Sequence, residues 1–122
     1  MVAADNRRIA VGRWGEQKAV EHLLKLGMQL VDRNWRCSLG ELDIVAYHGR
    51  TLVVVEVKTR TSDRFGSPAE AVTPHKAARL RRLSAQWLRE HDDHPFDVRI
   101  DVVGVLVPAR GPWRLDHLTG VA

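Results

Sequence analysis

The sequence has few of the features that mark secreted, membrane or nucleotide-hydrolysing proteins. Cys37 is the only cysteine among 122 residues, so no disulfide can form within one chain. The longest uncharged apolar run, residues 102–109, is far too short to cross a bilayer, and residues 1–13 contain no apolar segment typical of a signal peptide. The glycine-rich loop ending in lysine that binds nucleotide phosphates is also absent. These absences predict a cytoplasmic protein with no membrane partner.

The composition and the order of predicted elements indicate the fold class. A chain with 44% hydrophobic and 28% charged residues is typical of a globular protein, and its length predicts one domain over residues 1–122. Periodicity and turn residues predict helices over residues 12–27 and 73–90, and strands over residues 29–36, 40–48, 51–59, 97–107 and 113–118. The order α-β-β-β-α-β-β predicts an α/β (α+β) fold in which helices flank a central mixed sheet.

Helix boundaries and buried stripes follow from particular residues. Gly27 is a typical stop for the first helix, while Thr73 as N-cap and Pro74 at the first helical position favour the start of the second. The predicted stripe of the first helix is Trp14, Ala19, Val20, Leu23 and Leu24; that of the second is Leu80, Leu83, Ser84 and Trp87.

The second and third strands predict a hairpin with ionisable residues at one end. If Gly49 and Arg50 form a two-residue type II′ turn, residue i pairs with residue 99 − i. Asp43 then lies opposite Glu56, and Glu41 lies opposite Lys58. The alternation of side chains assigns one wholly apolar face to Leu42, Ile44, Ala46, Val53, Val55 and Val57.

Two carboxylates that face each other repel, and burial increases the cost. Either Lys58 or a divalent cation could offset this repulsion, and Mg²⁺ is commonly held by one or two carboxylates with water. With a metal bound, Lys58 would be free to polarise an attacking water. Glu16 lies three, four and seven residues before Ala19, Val20 and Leu23, on or beside the apolar stripe of the first helix. Its carboxylate could therefore point towards the ionisable residues of the hairpin. Two alternatives stay open: Lys58 bridges Glu41 and Glu56 in a structural ion-pair network, or Glu16 simply reaches water.

A basic segment follows the hairpin. Residues 58–82 contain seven basic and two acidic residues, a net charge of +5, whereas the whole chain has +4. Arg60 and Arg64 follow the third strand, while Lys76, Arg79 and Arg82 recur at helical spacing away from the apolar stripe of the second helix. This pattern predicts contacts with nucleic-acid phosphates; the alternative is an ordinary solvated helix face.

The acidic residues and the lysine resemble the core motif of the PD-(D/E)XK nuclease superfamily. Asp43 is followed thirteen residues later by Glu56-Val57-Lys58. The resemblance implies that Asp43 and Glu56 bind the metal, with the carbonyl of Val57 as a backbone ligand. It also implies that Lys58 orients or deprotonates a water. Glu16 matches the helical glutamate that often completes such a site, through a water or a second metal.

Further motifs resemble the YraN family of small bacterial proteins. They are residues 40–45, 55–60, 65–72 and 99–103, together with Lys76, Arg79 and Leu80. The resemblance covers about residues 12–107, although Leu42 replaces the proline of the superfamily motif. The family is similar in fold to archaeal Holliday junction resolvases, which implies a restriction-endonuclease-like core. The residues define no role for Glu41 or Asp101.

Three functions are therefore considered. The first is an endonuclease that depends on Mg²⁺ or Mn²⁺ and cleaves phosphodiester bonds in DNA, including branched DNA, as a homodimer. The second is a nucleic-acid-binding module of the same fold with little or no catalysis. The third is a structural or interaction protein with an acidic–lysine ion-pair network.

Overall fold

The computed structural model describes residues 2–62 and 72–121, with side chains from residue 6 onward. Its helices are α1 (Val2–Lys25) and α2 (Pro74–His91), and its strands are β1 (Gln29–Cys37), β2 (Gly40–His48), β3 (Thr51–Arg60), β4 (Asp97–Leu106) and β5 (Arg114–Leu118). This arrangement confirms the predicted α+β class and the order α-β-β-β-α-β-β. No helix in these two ranges is long and apolar enough to cross a membrane.

The five strands form one mixed sheet in the order β1-β2-β3-β4-β5. The β3–β4 pair is parallel, because α2 returns the chain to the starting end of β3, and the other neighbours are antiparallel. The side chains of α1 and one sheet face form one hydrophobic cluster, and those of α2 and the other face form a second. β3 is therefore covered on both sides, as its four consecutive buried residues Leu52, Val53, Val54 and Val55 show.

Most predicted helix and turn signals hold. Thr73 caps α2 by accepting a hydrogen bond from the Lys76 N–H, and the four predicted residues of its stripe are buried. Gly27 follows α1 with φ of 89°, and Gly49 takes the positive φ of 64° that the hairpin turn requires. α1, however, begins ten residues before the predicted start. Residues 2–11 carry no regular apolar stripe, so periodicity did not indicate a helix there. Trp14 and Leu24, both predicted to lie in the buried stripe of this helix, are 38% and 50% exposed.

The strict alternation predicted for β2 is wrong at Leu42. This side chain packs in the α2 cluster with Val45, whereas Ile44 packs in the α1 cluster. The reason lies on the neighbouring strand, where Asn34 has a positive φ of 52° between the register pairs Arg33↔Ile44 and Trp35↔Leu42. This left-handed residue interrupts the pleat, so the side chains on its two sides do not follow a simple period of two.

Gly15 sets the distance between α1 and the sheet. A Cβ at this position would overlap the side chain of Thr59 on β3, whereas a Cβ at Gly12 would meet no atom within 4 Å. The missing side chain of Gly15 lets the helix lie close to β3. The next residue, Glu16, is thereby held directly above the sheet.

Asp101, for which the sequence indicates no role, is a buried structural anchor. It is fully buried and accepts two hydrogen bonds from Arg99, at 2.9 and 3.0 Å, and a third from the Gly120 N–H at 2.9 Å. His117 Nε2 lies 2.8 Å from it. Burial alone would raise the pKa of Asp101, but these partners outweigh it and hold the pKa below its ordinary value. The carboxylate thus links β4 to β5 and to the chain that follows.

We predict opposite effects for alanine at the two α1 glycines. Gly15→Ala should lower the free energy of unfolding by about 1–3 kcal/mol because the new methyl group collides with Thr59. Gly12→Ala should raise it by about 0.5–1 kcal/mol because alanine is the better helix former and the space is open. Urea unfolding of both variants measures the difference. Thr59→Ala should restore most of the stability lost in Gly15→Ala; equal effects at the two glycines would contradict the close contact.

Candidate functional site

A cavity of about 990 Å³ opens beside the end of the β2–β3 ladder. Its polar lining combines acidic and basic side chains from α1, β1, β2 and β3: Arg8, Arg13, Glu16, Arg33, Arg36, Glu41, Asp43 and Lys58. The cavity therefore brings together Asp43, Lys58 and Glu16, three of the four predicted catalytic side chains, together with Val57.

Asp43 stands where the two hairpin strands part. The ladder has the predicted register, but it runs only from His48↔Thr51 to Ile44↔Val55. Beyond it the Asp43 carboxylate itself accepts a hydrogen bond of 2.9 Å from the Val57 N–H. The predicted pairs Asp43–Glu56 and Glu41–Lys58 are therefore wrong as ladder pairs, because a side chain replaces the backbone partner at this point.

The environment of Asp43 disfavours its negative charge. Burial, followed by the charge of Glu56, raises the pKa of Asp43 to about 7 from an ordinary 3.8. The hydrogen bond from the Val57 N–H lowers the pKa, while the charges of Glu16 and Glu41 raise it further. Four carboxylates thus interact around one half-buried position, which is the electrostatic condition that a bound cation would relieve.

Glu16 is held by residues that the sequence patterns do not reveal. Its Oε1 accepts hydrogen bonds from Arg33 Nε at 3.3 Å, Arg33 Nη2 at 3.1 Å and Asn34 Nδ2 at 3.0 Å. The side chain is 16% exposed, so the prediction that it points inward from α1 holds for this carboxylate. Its direct partners are on β1 rather than in the acidic–lysine cluster.

Lys58 and Glu56 form a contact on β3. Lys58 Nζ lies 3.6 Å from Glu56 Oε1, and Lys58 lines the cavity whereas Glu56 is not part of its lining. Glu41 is bound instead by Arg36, 3.0 Å away, in a largely exposed pair. The proposed bridge by Lys58 between Glu41 and Glu56 is therefore formed on the Glu56 side alone.

The predicted nucleic-acid contacts are distributed over two faces. Arg60 lies at the end of β3 and lines a second cavity, of about 440 Å³, with Arg7 and Arg8. Lys76, Arg79 and Arg82 are on α2, which packs against the opposite face of the sheet from α1. Arg64 lies outside the described residues.

Four arginines that line the cavity were not identified by the sequence patterns. Arg8 and Arg13 belong to α1, and Arg33 and Arg36 to β1. They are dispersed along residues whose net charge is close to zero, so no charged segment marks them. Only the packing of α1 across β1 and β3 brings them to one opening.

The donor chemistry of the cavity suits a hard divalent cation. Glu16 and Asp43 present carboxylate oxygens, and Val57 and water could complete the set, since Mg²⁺ typically uses one or two carboxylates and several waters. Among the described residues no three acidic, histidine or cysteine side chains already converge on one point. The oxygen donors present thus suit a partly hydrated divalent cation rather than a cage built only of protein.

The fold and the cavity define an α+β protein with a mixed sheet and a carboxylate–lysine site beside its central strand. Comparison with known proteins identifies its relatives. The chain belongs to the family described as Uncharacterised protein family UPF0102, whose profile matches residues 15–105. This confirms the YraN family predicted from the motifs.

Relatives extend over nearly the whole chain. A UPF0102 protein of Beutenbergia cavernae is 58% identical and covers 92% of this chain and 95% of its own length. One from Frankia alni is 56% identical over 91% of this chain and 92% of its own length. Among solved structures, a Holliday junction resolvase from Archaeoglobus fulgidus is 20% identical, with a TM-score of 0.44, covering 86% of this chain and 75% of the other.

Asp43→Asn should stabilise the metal-free protein, and more so at pH 8 than at pH 5. Because the pKa of Asp43 is higher in the folded chain than its ordinary value, the folded state holds an extra proton between about pH 4 and pH 7. Stability from this group is therefore lost as the pH rises through 7. The neutral amide avoids this loss, and its oxygen still accepts the Val57 N–H. We expect a gain on the order of 2 kcal/mol at pH 8, measured by urea unfolding in EDTA.

Asp101→Asn is the matched control because the pKa of Asp101 is lowered, not raised. It should destabilise the protein at pH 8, since the charged form is the one that Arg99 and His117 stabilise. Destabilisation by both variants would contradict the contrast between the two aspartates.

Proposed function

We propose that this protein is a metal-dependent endonuclease that binds DNA and cleaves its phosphodiester bonds, with branched DNA as the preferred substrate. One observation carries the proposal: Asp43, Glu16 and Lys58 face a single cavity bordered by arginines. Carboxylates and a lysine in such a cleft suit phosphoryl chemistry, and the surrounding cations suit a phosphate backbone. The resemblance of Asp43 and Glu56-Val57-Lys58 to the PD-(D/E)XK motif also supports the proposal.

The site residues have two kinds of role in this proposal, metal binding and the handling of the attacking water. Asp43, Glu56, the Val57 carbonyl and Glu16 would hold Mg²⁺ or Mn²⁺. The cation, when bound, would polarise the scissile phosphate and lower the pKa of a water. Lys58, which lies beside Glu56 and lines the cavity, would orient the attacking water, take up its proton or stabilise the negative charge that develops at phosphorus.

The arginines would position the substrate. Arg8 and Arg13 on α1 border the carboxylates and would contact phosphates next to the scissile bond. Arg60, Arg64 and the α2 residues Lys76, Arg79 and Arg82 would contact more distant phosphates. Contacts of this kind provide affinity without base specificity.

Two strands must be cut to separate a branched DNA, and each chain offers one site. A homodimer with two-fold symmetry would place two sites on one substrate. Such a protein would act in the cytoplasm, where its substrate lies.

The first test is cleavage of end-labelled DNA and RNA presented as a four-way junction, a flap, a duplex or a single strand. We expect cutting of the junction with Mg²⁺ or Mn²⁺, none with EDTA, and a loss of at least about a hundred-fold in Glu56→Gln and in Lys58→Ala. Glu90→Gln is a matched control because Glu90 is exposed on α2 and contacts Gln86.

The outcomes separate the candidate functions. Metal-dependent cutting retained in both variants would assign the activity to a contaminant and reject the proposed site. Binding without cutting of any substrate would favour a nucleic-acid-binding module. Neither binding nor cutting would favour a structural role for the ion pairs Lys58–Glu56 and Arg36–Glu41.

A second test locates the phosphate contacts. Arg8→Gln and Arg13→Gln should each weaken DNA binding and reduce the slope of log K against log salt by about one. Arg50→Gln should leave both unchanged, because Arg50 lies in the turn at the other end of the hairpin against Phe96. Fluorescence anisotropy in EDTA provides the measurement. An unchanged slope in the α1 variants together with a reduced slope in Arg79→Gln would move the binding surface to α2.

A further inference from the structure

We infer that Arg33 and Asn34 are positioning residues, which hold one oxygen of Glu16 so that the other oxygen serves as a metal ligand in the cavity. This inference rests on the proposed function, since it assigns a purpose to the Glu16 carboxylate. It concerns residues outside the acidic–lysine motif, on a strand to which no part of the chemistry has been assigned.

The contacts are asymmetric between the two oxygens of Glu16. Oε1 accepts three hydrogen bonds, two from Arg33 and one from Asn34, at 3.0 to 3.3 Å. Oε2 takes part in no hydrogen bond with the described residues. A carboxylate bound in this way has one occupied oxygen and one available oxygen, whereas a bidentate pair, such as that of Arg99 with Asp101, engages both oxygens.

The backbone of β1 makes this arrangement possible. In a regular strand successive side chains point to opposite faces, so neighbouring residues cannot reach one atom. Asn34 takes the left-handed conformation, with φ of 52°, and its side chain reaches the same oxygen as that of Arg33. Asparagine is among the few residues that adopt this conformation at low cost. The interrupted pleat therefore has a local consequence, which is that two donors converge on Glu16.

The guanidinium of Arg33 also contacts α1 next to Glu16. Its Nη1 donates to Gln17 Oε1 at 3.1 Å, and Gln17 Nε2 in turn lies 3.3 Å from Glu21 Oε2 along α1. Gly15 places this part of the helix directly on β3. Glu16 is thus fixed from both sides, by the close approach of its helix and by donors from β1.

Arg36 offers a matched comparison on the same strand. It also pairs with a carboxylate, Glu41, and lines the same cavity, but its side chain is 78% exposed against 35% for Arg33. Substitution of Arg36 by alanine removes the same charge from the cavity but leaves the hydrogen bonds of Glu16 in place. A general loss of positive charge and a specific loss of Glu16 positioning can therefore be separated.

The test is the affinity for Mn²⁺ alone, measured by electron paramagnetic resonance of the free ion without nucleic acid. We expect Arg33→Ala to weaken Mn²⁺ binding by about ten-fold, as is typical when a residue that orients a metal ligand is removed. Arg33→Lys should restore part of it, and Arg36→Ala should leave it unchanged or slightly improved. In a Glu16→Gln background Arg33→Ala should have no further effect, because the carboxylate that it positions is gone.

The results distinguish the inference from the proposal beneath it. If the wild-type protein binds no Mn²⁺, or if Asp43→Asn binds as tightly as wild type, the metal site itself is wrong and the inference falls with it. If Asp43→Asn loses binding but Arg33→Ala and Arg36→Ala behave alike, the metal site stands and the positioning role is wrong. Thermal melting of each variant shows that the chain is folded during the titration.

Discussion

The burial of β3 on both faces is the constraint on which the rest of the structure depends. Its apolar residues need cover from α1 on one side and α2 on the other. The parallel pairing with β4 requires a long crossover, which α2 provides. On the other side α1 can come close only because Gly15 has no side chain. The cavity lies where this packing ends and where β2 leaves β3.

Two aspartates of this protein have opposite environments. One is a stabilising buried residue, and the other lies in the candidate functional site. Asp101 is fully buried, yet Arg99, His117 and the Gly120 N–H satisfy it and keep its pKa low. Asp43 has one backbone donor and three acidic neighbours, and its pKa is raised to about 7. An uncompensated carboxylate beside a cavity costs stability, but it is the kind of group that candidate functional sites contain. The stabilising aspartate, Asp101, is on β4, and the aspartate of the candidate site, Asp43, is on β2, so the two lie on opposite sides of β3.

Much of the architecture was predictable because it depends on local patterns. The hairpin register follows from one two-residue turn, and the stripe of α2 follows from helical periodicity. Leu42 did not follow the period of two, because Asn34 on the neighbouring strand interrupts the pleat. The early part of α1 lacks an apolar stripe, so periodicity carried no signal there.

For the site, the sequence by itself determined which chemical groups are present and that Asp43, Glu56 and Lys58 belong to one hairpin. Short-range spacing is sufficient for that, since a two-residue turn joins the two strands that carry these residues, although the ladder itself ends at Ile44↔Val55. Only the tertiary structure decided which groups meet. Arg33 and Asn34 reach Glu16 from seventeen and eighteen residues away, and Arg8 and Arg13 border the same cavity. Those contacts depend on how closely α1 lies on the sheet, which is a property of packing between distant segments and leaves no periodic signal in the chain.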